Sequence, residues 1–322
     1  MSDNDIISEE KIKSILGSIP EIGEMEALRL NVRKRNKTFI RVLLIAVLLL
    51  IAGAMIFRRT ESFGIVMIIS LVVAFVGFIV YYSIYVYSRL QKLKSRFQEN
   101  IIKHYIRSIM PESQYNPEKY HSLATYNESL LFMIDVDRHS GGNYVEGIFD
   151  KTEISFSYMH TEYEEVTHTK NGTKRTWHTI FKGIFMSADS NKNFSGKTLV
   201  LPDTAEKYLG GFGKWLQKKA GNTVGELVYM ENVKFEKEFV VYSTDPVEAR
   251  YLITPKIQEQ IFNLKKFLHK DLRLSFVNNH VFIAISRENI FKLKTSLSFT
   301  DEKTLIYYMK DIIELLTLIH LL

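Results

Sequence analysis

Two long apolar runs without charge stand out in the hydropathy pattern of the N-terminal third of the chain. Val42–Phe57 contains 16 such residues and Phe63–Tyr87 contains 25. A helix rises about 1.5 Å per residue, so roughly 20 residues cross the ~30 Å hydrocarbon core of a bilayer. Only the five residues Arg58–Ser62 separate the runs, which places both outer ends on the same side. The pattern predicts a transmembrane hairpin at residues 38–88.

Basic residues flank this hairpin unevenly. The short turn carries only Arg58 and Arg59, whereas ten cations lie next to the outer ends. They are Arg29, Arg33, Lys34, Arg35, Lys37 and Arg41 before the first run, and Arg89, Lys92, Lys94 and Arg96 after the second. Because loops rich in Lys and Arg stay on the cytoplasmic side, we predict a multi-pass protein with both termini in the cytoplasm.

An apolar stripe with helical spacing continues beyond the second run. Its members recur at steps of three and four residues: Leu90, Leu93, Phe97, Ile101, Tyr105 and Ile109. This spacing predicts a juxtamembrane helix over residues 89–110, which Pro111 ends. A similar stripe in the cytosolic leader, residues 1–37, predicts a helical partner, so the two arms form a stalk or join neighbouring protomers. Contact with anionic lipid headgroups is an alternative role for the basic side chains of the second arm: Arg89, Lys92, Lys94 and Arg96.

Residues 111–322 change to a mixed pattern. Short β-type runs between turn sequences predict strands at Tyr144–Ile148, Glu153–Tyr158, Thr176–Met186, Thr198–Leu201 and Phe235–Ser243. Asp245-Pro246 and Thr254-Pro255 each predict a helix start. Two alternating segments, Leu272–Phe276 and Val281–Ile285, predict a further hairpin, and a final helix begins at about Asp301. The predicted fold class is therefore α+β: the transmembrane hairpin with its helical stalk, then a mixed antiparallel-sheet and helix domain that allows a division into two halves near residues 204–225.

One predicted hairpin carries candidate chemistry. Asn171-Gly172 favours a tight type I′ turn, and we expect Val166 opposite Trp177, His168 opposite Arg175, and Glu165 opposite His178. Strand alternation places a row of imidazoles and carboxylates on one face, and such a row can bind a transition metal. The candidate ligands are His160, Glu162, His168 and His178. A polar hairpin in water has the same composition, and an arginine opposite His168 disfavours a bound cation, so the solvated hairpin is the favoured interpretation.

Composition excludes several classes of function. The chain has no cysteine, which excludes disulfides, thiol catalysis and cysteine-ligated metal. Its net charge of +6 arises beside the predicted membrane segments, since residues 1–110 carry 16 Lys and Arg against 9 Asp and Glu. We therefore expect no nucleic-acid partner. Gly210–Lys214 lacks the glycine spacing of a phosphate-binding loop, and Glu248 and Arg250 are expected to form a helix cap with a salt bridge. No cofactor is predicted.

Two segments of the soluble domain resemble a known family. Phe181–Asp203 reads FKGIFMSADSNKNFSGKTLVLPD and Phe235–Pro255 reads FEKEFVVYSTDPVEARYLITP. Both are similar to a bacterial membrane-protein family known only as domain of unknown function 3137. The paired N-terminal spans agree with the usual layout of that family, which extends the resemblance over most of the chain after about residue 20. The resemblance implies a shared fold and a location in the bacterial inner membrane, and it implies no catalytic residue.

Together, these patterns predict a membrane-anchored, non-enzymatic module whose cytosolic domain binds a protein partner or the inner leaflet. The alternative is a membrane-bound enzyme, metal-dependent or not, that uses the His- and Glu-rich hairpin at residues 160–178. A third interpretation is self-association through the stalk, which would be lost when Leu93 and Phe97 are made polar. The expected partners are the lipid bilayer and a protein.

Overall fold

The structure is a computed structural model of the full chain. It describes residues 14, 17–19, 21–56, 61–169, 172–190, 192–203, 225–304, 306–308, 312–313 and 316. Several predicted features lie outside the described residues: most of the leader, residues 57–60 of the membrane turn, Asn171, the glycines of segment 204–224 and most of the final helix. The chain divides into two compact units. We call residues 8–105 with 292–307 the stalk unit, and residues 1–7, 106–291 and 308–322 the sheet unit.

Helices dominate the N-terminal part of the stalk unit. In chain order they are α1 (Ile22–Ile56), α2 (Glu61–Tyr81), the π-helical segment π1 (Tyr82–Tyr87), α3 (Ser88–Arg96), the π-helical segment π2 (Phe97–Ile102) and α4 (Lys103–Ile109). The segments from α2 to α4 follow one another without a break. A helix predicted over residues 89–110 is therefore present, with two π-helical turns that the sequence pattern did not predict.

The second π-helical segment explains the spacing of the buried stripe. Leu93, Phe97, Ile101 and Tyr105 follow one another at steps of four, and none is more than 3% exposed. Steps of four would move around an α-helix, which repeats every 3.6 residues. In π2 the amide of Lys103 donates to the carbonyl of Gln98, five residues earlier. Such bonding widens the turn, so the stripe stays on the buried face.

Apolar side chains cover the outside of α1 and α2. Leu48, Leu49, Val73 and Phe75 are each more than 60% exposed. Within the part of the chain that the structure describes, one helix, Ile69–Ile109, is long and apolar enough to cross a membrane by length and composition. Its mean hydropathy is 2.2 over the most apolar stretch, of which 6% is buried. A pair of membrane spans therefore stays a prediction.

One antiparallel sheet organises the sheet unit. Its described strands are β1 (Gln114–Asn116), β2 (Arg138–Phe149), β3 (Thr152–Thr169), β4 (Gly172–Asp189), β5 (Thr198–Pro202), β6 (Glu226–Leu227), β7 (Phe239–Ser243), β8 (Leu272–Val277) and β9 (His280–Ser286). They lie in the order β1-β2-β3-β4-β9-β8-β5-β7-β6. The described helices that lie wholly in this unit are α5 (Leu123–Glu128), α6 (Val233–Glu236), α7 (Pro246–Leu252) and α8 (Pro255–Leu268). The predicted mixed fold with an antiparallel sheet is confirmed.

Most predicted strands and helices of this unit are present, but several boundaries were wrong: β2 begins at Arg138 instead of Tyr144, and β3 ends at Thr169 instead of Tyr158. The predicted strand from Phe235 begins instead at Phe239, because the Asn232 side chain accepts hydrogen bonds from the amides of Lys234 and Phe235 and starts the helical turn α6. The predicted cap at Asp245 is confirmed, since its carboxylate accepts from the amides of Val247 and Glu248.

The predicted salt bridge between Glu248 and Arg250 is absent from the described ion pairs. Glu248 instead accepts from the amides of Ser195 and Gly196, at 2.9 and 2.7 Å, in the loop before β5. Arg250 donates to backbone carbonyls, including that of Pro246 at 3.2 Å. Glu248 therefore ties a loop to α7, a long-range contact that local sequence spacing does not reveal.

A hydrophobic cluster fixes the central strands. Tyr126 of α5 and Phe132 of the following loop stack with ring centroids 4.7 Å apart. They pack with Met159 of β3, Phe181 of β4 and further side chains from both halves of the sheet. This packing anchors β3 and β4 at the point from which both strands continue beyond their neighbours.

Candidate functional site

The strands β3 and β4 extend beyond the rest of the sheet. β2 pairs with β3 only as far as Glu162, and β9 pairs with β4 only from Gly183 onward. Past these points, residues 163–169 and 172–178 are paired with each other alone among the described strands. We call this two-stranded segment the β-arm. Its exposure and its polar side chains make it the leading candidate for a contact surface.

The register of the β-arm differs from the predicted one by two residues. Val166 lies opposite Arg175, His168 opposite Thr173, and Thr169 opposite Gly172. The predicted pairs of Val166 with Trp177, His168 with Arg175, and Glu165 with His178 were therefore wrong. They follow from Asn171 and Gly172 as the two central turn residues, whereas in the observed register Gly172 already belongs to β4 and pairs with Thr169. No arginine lies opposite His168, so the predicted arginine cannot be used as an argument against a bound cation there.

One face of the β-arm carries alternating charges around an exposed tryptophan. Trp177 lies opposite Glu164 and is 39% exposed. The Arg138 guanidinium stacks 3.8 Å from the centre of the indole ring, and its Nη1 lies 3.4 Å from Glu162. Arg175 donates to both carboxylate oxygens of Glu164, at 3.2 and 3.0 Å. A flat aromatic ring with paired cations is typical of a protein-contact surface.

At the root of the β-arm, a side chain occupies a backbone hydrogen-bonding group on the edge of β3. The Asp137 carboxylate accepts from the amide of Glu164 at 2.8 Å, and the amide of Asp137 donates to the carbonyl of Glu162. Occupied edge groups of this kind protect a strand from unwanted pairing. At its root, the β-arm is therefore more available for contacts through side chains than through the backbone groups of its edge.

The four candidate metal ligands do not converge. His160 Nε2 lies 3.7 Å from Glu162 Oε1 and 3.2 Å from the Thr179 hydroxyl. His168 lies further along β3 and hydrogen-bonds to Thr173 of β4, at 3.1 Å. His178 lies on the opposite face, where it stacks on Tyr163 and bonds to Glu165 at 2.9 Å. Across the described residues, no group of three His, Asp or Glu side chains is arranged to hold a metal ion.

A buried histidine that the sequence pattern did not single out lies behind β3. His121 is 4% exposed, and its ring nitrogens lie 2.7 Å from the Ser157 hydroxyl and 2.9 Å from the Ser155 hydroxyl. Burial, together with the charges of Lys119 and His139, lowers the pKa of His121 to about 3. The imidazole is therefore neutral at physiological pH, and its geometry serves to hold the loop before α5 against β3.

A cleft of about 480 Å³ opens beside this histidine. Ser155, which bonds to His121, lies in its wall, and carboxylates surround it: Glu112, Glu146, Glu153 and Asp189. Lys119 lies 3.5 Å from Glu146. The cleft is acidic and open, and none of these carboxylates forms a three-ligand metal group.

The stalk unit contains a buried ionic clamp between α1 and the segment 295–299. Glu26 and Arg29 are paired at 2.5 Å. Glu26 also accepts from the Ser298 hydroxyl at 2.9 Å and the Phe299 amide at 3.0 Å, while Arg29 donates to the carbonyl of Thr295 at 2.6 Å. Hydrogen bonding to Arg29 lowers the pKa of Glu26 to about 2. An i,i+3 Glu–Arg pair is ordinary in sequence, so nothing in the pattern identified its distant partners.

The basic residues after the predicted second span differ in their surroundings. Arg96 lies within 3.7 Å of Glu21 and 3.5 Å of Glu24, so it is engaged with the leader helix. Arg89 is half-buried, and Lys92 and Lys94 are exposed. Only the last two fully fit the surface expected for contact with headgroups.

The proposed self-association positions are buried within a single chain. Leu93 and Phe97 are both 0% exposed, and Phe97 stacks on Phe299 with ring centroids 5.6 Å apart. Polar substitutions at these positions would therefore disturb the stalk itself. Their effect on association cannot be separated from an effect on folding.

Comparisons with known proteins agree with part of the resemblance. The family described as "Protein of unknown function (DUF3137)" matches residues 179–322, which confirms the resemblance over that part of the chain. A comparison with curated proteins finds no match. Among solved structures, the mycobacterial trehalose monomycolate transport factor A, TtfA, is similar at 11% identity and a TM-score of 0.29, over 64% of this chain and 87% of that protein. A similarity of that size supports no argument about fold or function.

Proposed function

We propose that this chain is a membrane-anchored, non-enzymatic module whose soluble domain binds a protein partner through the β-arm. The observation that carries the anchor is the outward-facing apolar surface of α1 and α2, where side chains such as Leu49 and Val73 are about two-thirds exposed. An aqueous helix does not normally leave so continuous an apolar surface uncovered. A bilayer covers it without any further protein.

The β-arm supports the binding role. It offers Trp177 and Val166, 39% and 43% exposed, within a frame of paired charges. Interfaces are commonly centred on a few aromatic and arginine side chains surrounded by polar contacts. The pairs Arg138–Trp177 and Arg175–Glu164 hold these groups in one orientation before a partner arrives, which lowers the entropic cost of binding.

The charge distribution favours the cytoplasm as the compartment of this domain. Ten cations next to the outer ends of the two apolar segments, against two in the turn, give the orientation with both termini inside. In a bacterial cell the corresponding membrane is the inner membrane. A reporter fused after Leu322 tests this orientation directly, and activity outside the cytoplasm would overturn it.

Crosslinking in intact cells tests the binding role. A benzophenone photocrosslinker in place of Trp177 should form an adduct with one defined protein, and the same group in place of the exposed Lys151, in the turn between β2 and β3, serves as control. If position 177 forms adducts with lipid alone, the proposed protein partner is rejected and the surface is assigned to contact with the inner leaflet. Release of the chain from membranes by carbonate would reject the anchor independently.

A further inference from the structure

An apolar groove of about 670 Å³ lies between α1 and α2 in the stalk unit. Its walls come from Phe39 and Val42 on α1 and from Phe75 and Phe78 on α2, and small side chains, Ala46 and Ala74, form part of its lining. Phe39 and Phe78 are in contact, with ring centroids 4.5 Å apart. Polar surface makes up only a small part of the lining, so an occupant must be largely apolar.

The groove has the length of one membrane leaflet. Its lining on α1 runs from Thr38 to Val47, which at about 1.5 Å per residue is roughly 14 Å along the axis. Half of a ~30 Å hydrocarbon core is about the same distance. A single acyl chain of a lipid in that leaflet therefore matches the groove from end to end.

The polarity of the groove changes at one end. Thr38 and Tyr81, which carry hydroxyls, line the end nearest the stalk. One helical turn earlier on α1 lie Lys34, which is exposed, and Arg35, which is half-buried. On the other helix the rings of Tyr81 and Tyr85 are 5.1 Å apart, and the half-buried Arg89 follows Tyr85 by one further turn.

This gradient identifies the kind of occupant. A helix from a second copy needs an apolar surface along its whole length, whereas an amphiphile needs an apolar body, then hydrogen-bond donors, then a countercharge. The groove presents these features in that order. From this geometry we infer that the groove holds an anionic phospholipid, with an acyl chain between α1 and α2 and its phosphate near Arg35 and Arg89. The inference rests on the proposed membrane insertion of both helices.

Lipid retention by the full chain tests the acyl-chain part. The protein is reconstituted in nanodiscs of equimolar phosphatidylcholine and phosphatidylglycerol, extracted mildly, and analysed by native mass spectrometry. The wild type should retain phosphatidylglycerol. Ala74→Phe fills the groove and should lose it, whereas Val76→Phe, at an exposed position of α2 outside the lining, should retain it. Equal retention by both variants overturns the site.

Two double variants test whether the cations at the polar end of the groove bind the phosphate. Arg35→Gln with Arg89→Gln removes two cations at the polar end and should weaken the preference for phosphatidylglycerol by about tenfold. Lys92→Gln with Lys94→Gln removes two exposed cations that suit general contact with headgroups and should weaken the preference less than the first pair does. An equal loss in both pairs would mean attraction to the anionic surface alone, and would reject the site.

The remaining outcomes separate this inference from the proposed function. A chain that resists carbonate extraction but retains no phospholipid contradicts the lipid site and leaves the anchor intact. A lipid-free dimer that Ala74→Phe converts to a monomer assigns the groove to a second copy. A chain that carbonate releases removes both the anchor and the site.

Discussion

The guanidinium of Arg138 lies 3.8 Å from the ring centre of Trp177, so the first residue of β2 holds an aromatic ring that belongs to β4. The same arginine reaches Glu162 on the strand between them. Three adjacent strands thus contribute to one surface at the root of the β-arm. The proposed binding surface can therefore be tested by single substitutions.

Replacing Trp177 by alanine should abolish partner binding with little loss of stability. The ring is 39% exposed and contributes mainly a stacking contact with Arg138, worth about 0.5–1 kcal/mol at such a site. Central interface aromatics, by contrast, often cost 2 kcal/mol or more in binding. Thermal melting and affinity purification from cells measure the two effects. A variant such as Tyr115→Phe, far from the arm on β1, should bind as the wild type does, and an unchanged partner set for Trp177→Ala would contradict the assignment.

Neutralising Glu26 should loosen the segment 295–299 from α1. Glu26→Gln removes the charge that Arg29, Ser298 and the Phe299 amide share, and we expect a loss of about 1–2 kcal/mol in local stability. Hydrogen exchange of the Phe299 amide measures it. Glu24→Gln, at a position whose side chain is 70% exposed, is the matched control. Equal exchange in both variants would show that the clamp has no such role.

Acid should open the same clamp. The pKa of Glu26 is lowered to about 2 in the folded chain because Arg29 stabilises the carboxylate. A lowered folded pKa means that the contribution is complete above the unfolded value, near 4.5, and is lost as the pH falls toward 2. The protection factor of the Phe299 amide, which compares its exchange rate with the intrinsic rate at the same pH, should therefore fall in that pH range in the wild type. It should change less in Glu26→Gln.

His121 should make the sheet unit lose stability in mild acid. Its folded pKa of about 3 lies below the usual value of 6.5. Between these two pH values the imidazole is protonated in the unfolded chain and neutral in the folded chain. Stability should fall as the pH decreases from 6.5, by about 2 kcal/mol at pH 5. Urea unfolding at several pH values measures this slope. His121→Gln should reduce the slope to the part contributed by His139, whose pKa is also lowered by burial, and the exposed His168→Gln should keep it. An unchanged slope in His121→Gln would assign it to another group.

The β-arm should bind no stoichiometric transition metal. His160 and Glu162 share one face with the distant His168, while His178 lies on the other face with Glu165. A tight site needs convergent ligands with fixed orientation. Elemental analysis of the purified chain checks this. Zinc or manganese at one equivalent that His168→Ala removes would restore the metal-dependent alternative.

Local pattern was sufficient for much of the secondary structure. The helix starts at Asp245 and at Pro255, the β8–β9 hairpin, and the buried stripe from Leu93 to Tyr105 all follow from capping residues and from the spacing of apolar positions. These signals lie within a few residues of one another. They depend on backbone geometry that each segment carries with it.

The register of β3 and β4 was harder to predict, because two plausible pairings of these strands differ by only two residues. Alternation puts the same side chains on the same faces in both pairings. What separates them is the turn and the packing of Phe181 and Phe185 against α5, which a strand pattern does not contain. The candidate metal ligands are separated for a different reason: in both pairings His178 shares a face with Tyr163 and Glu165, opposite the face of His160 and His168.

By itself, the sequence determined where the apolar segments, most strands and the capped helix starts lie, since each depends on residues close together in the chain. Tertiary structure alone decided the contacts of Glu26 with Phe299, Glu248 with Gly196, and His121 with Ser157. These contacts join residues that are 36 to 273 positions apart. A polar side chain can satisfy its hydrogen bonds with many partners, so only the packed fold determines which one it meets.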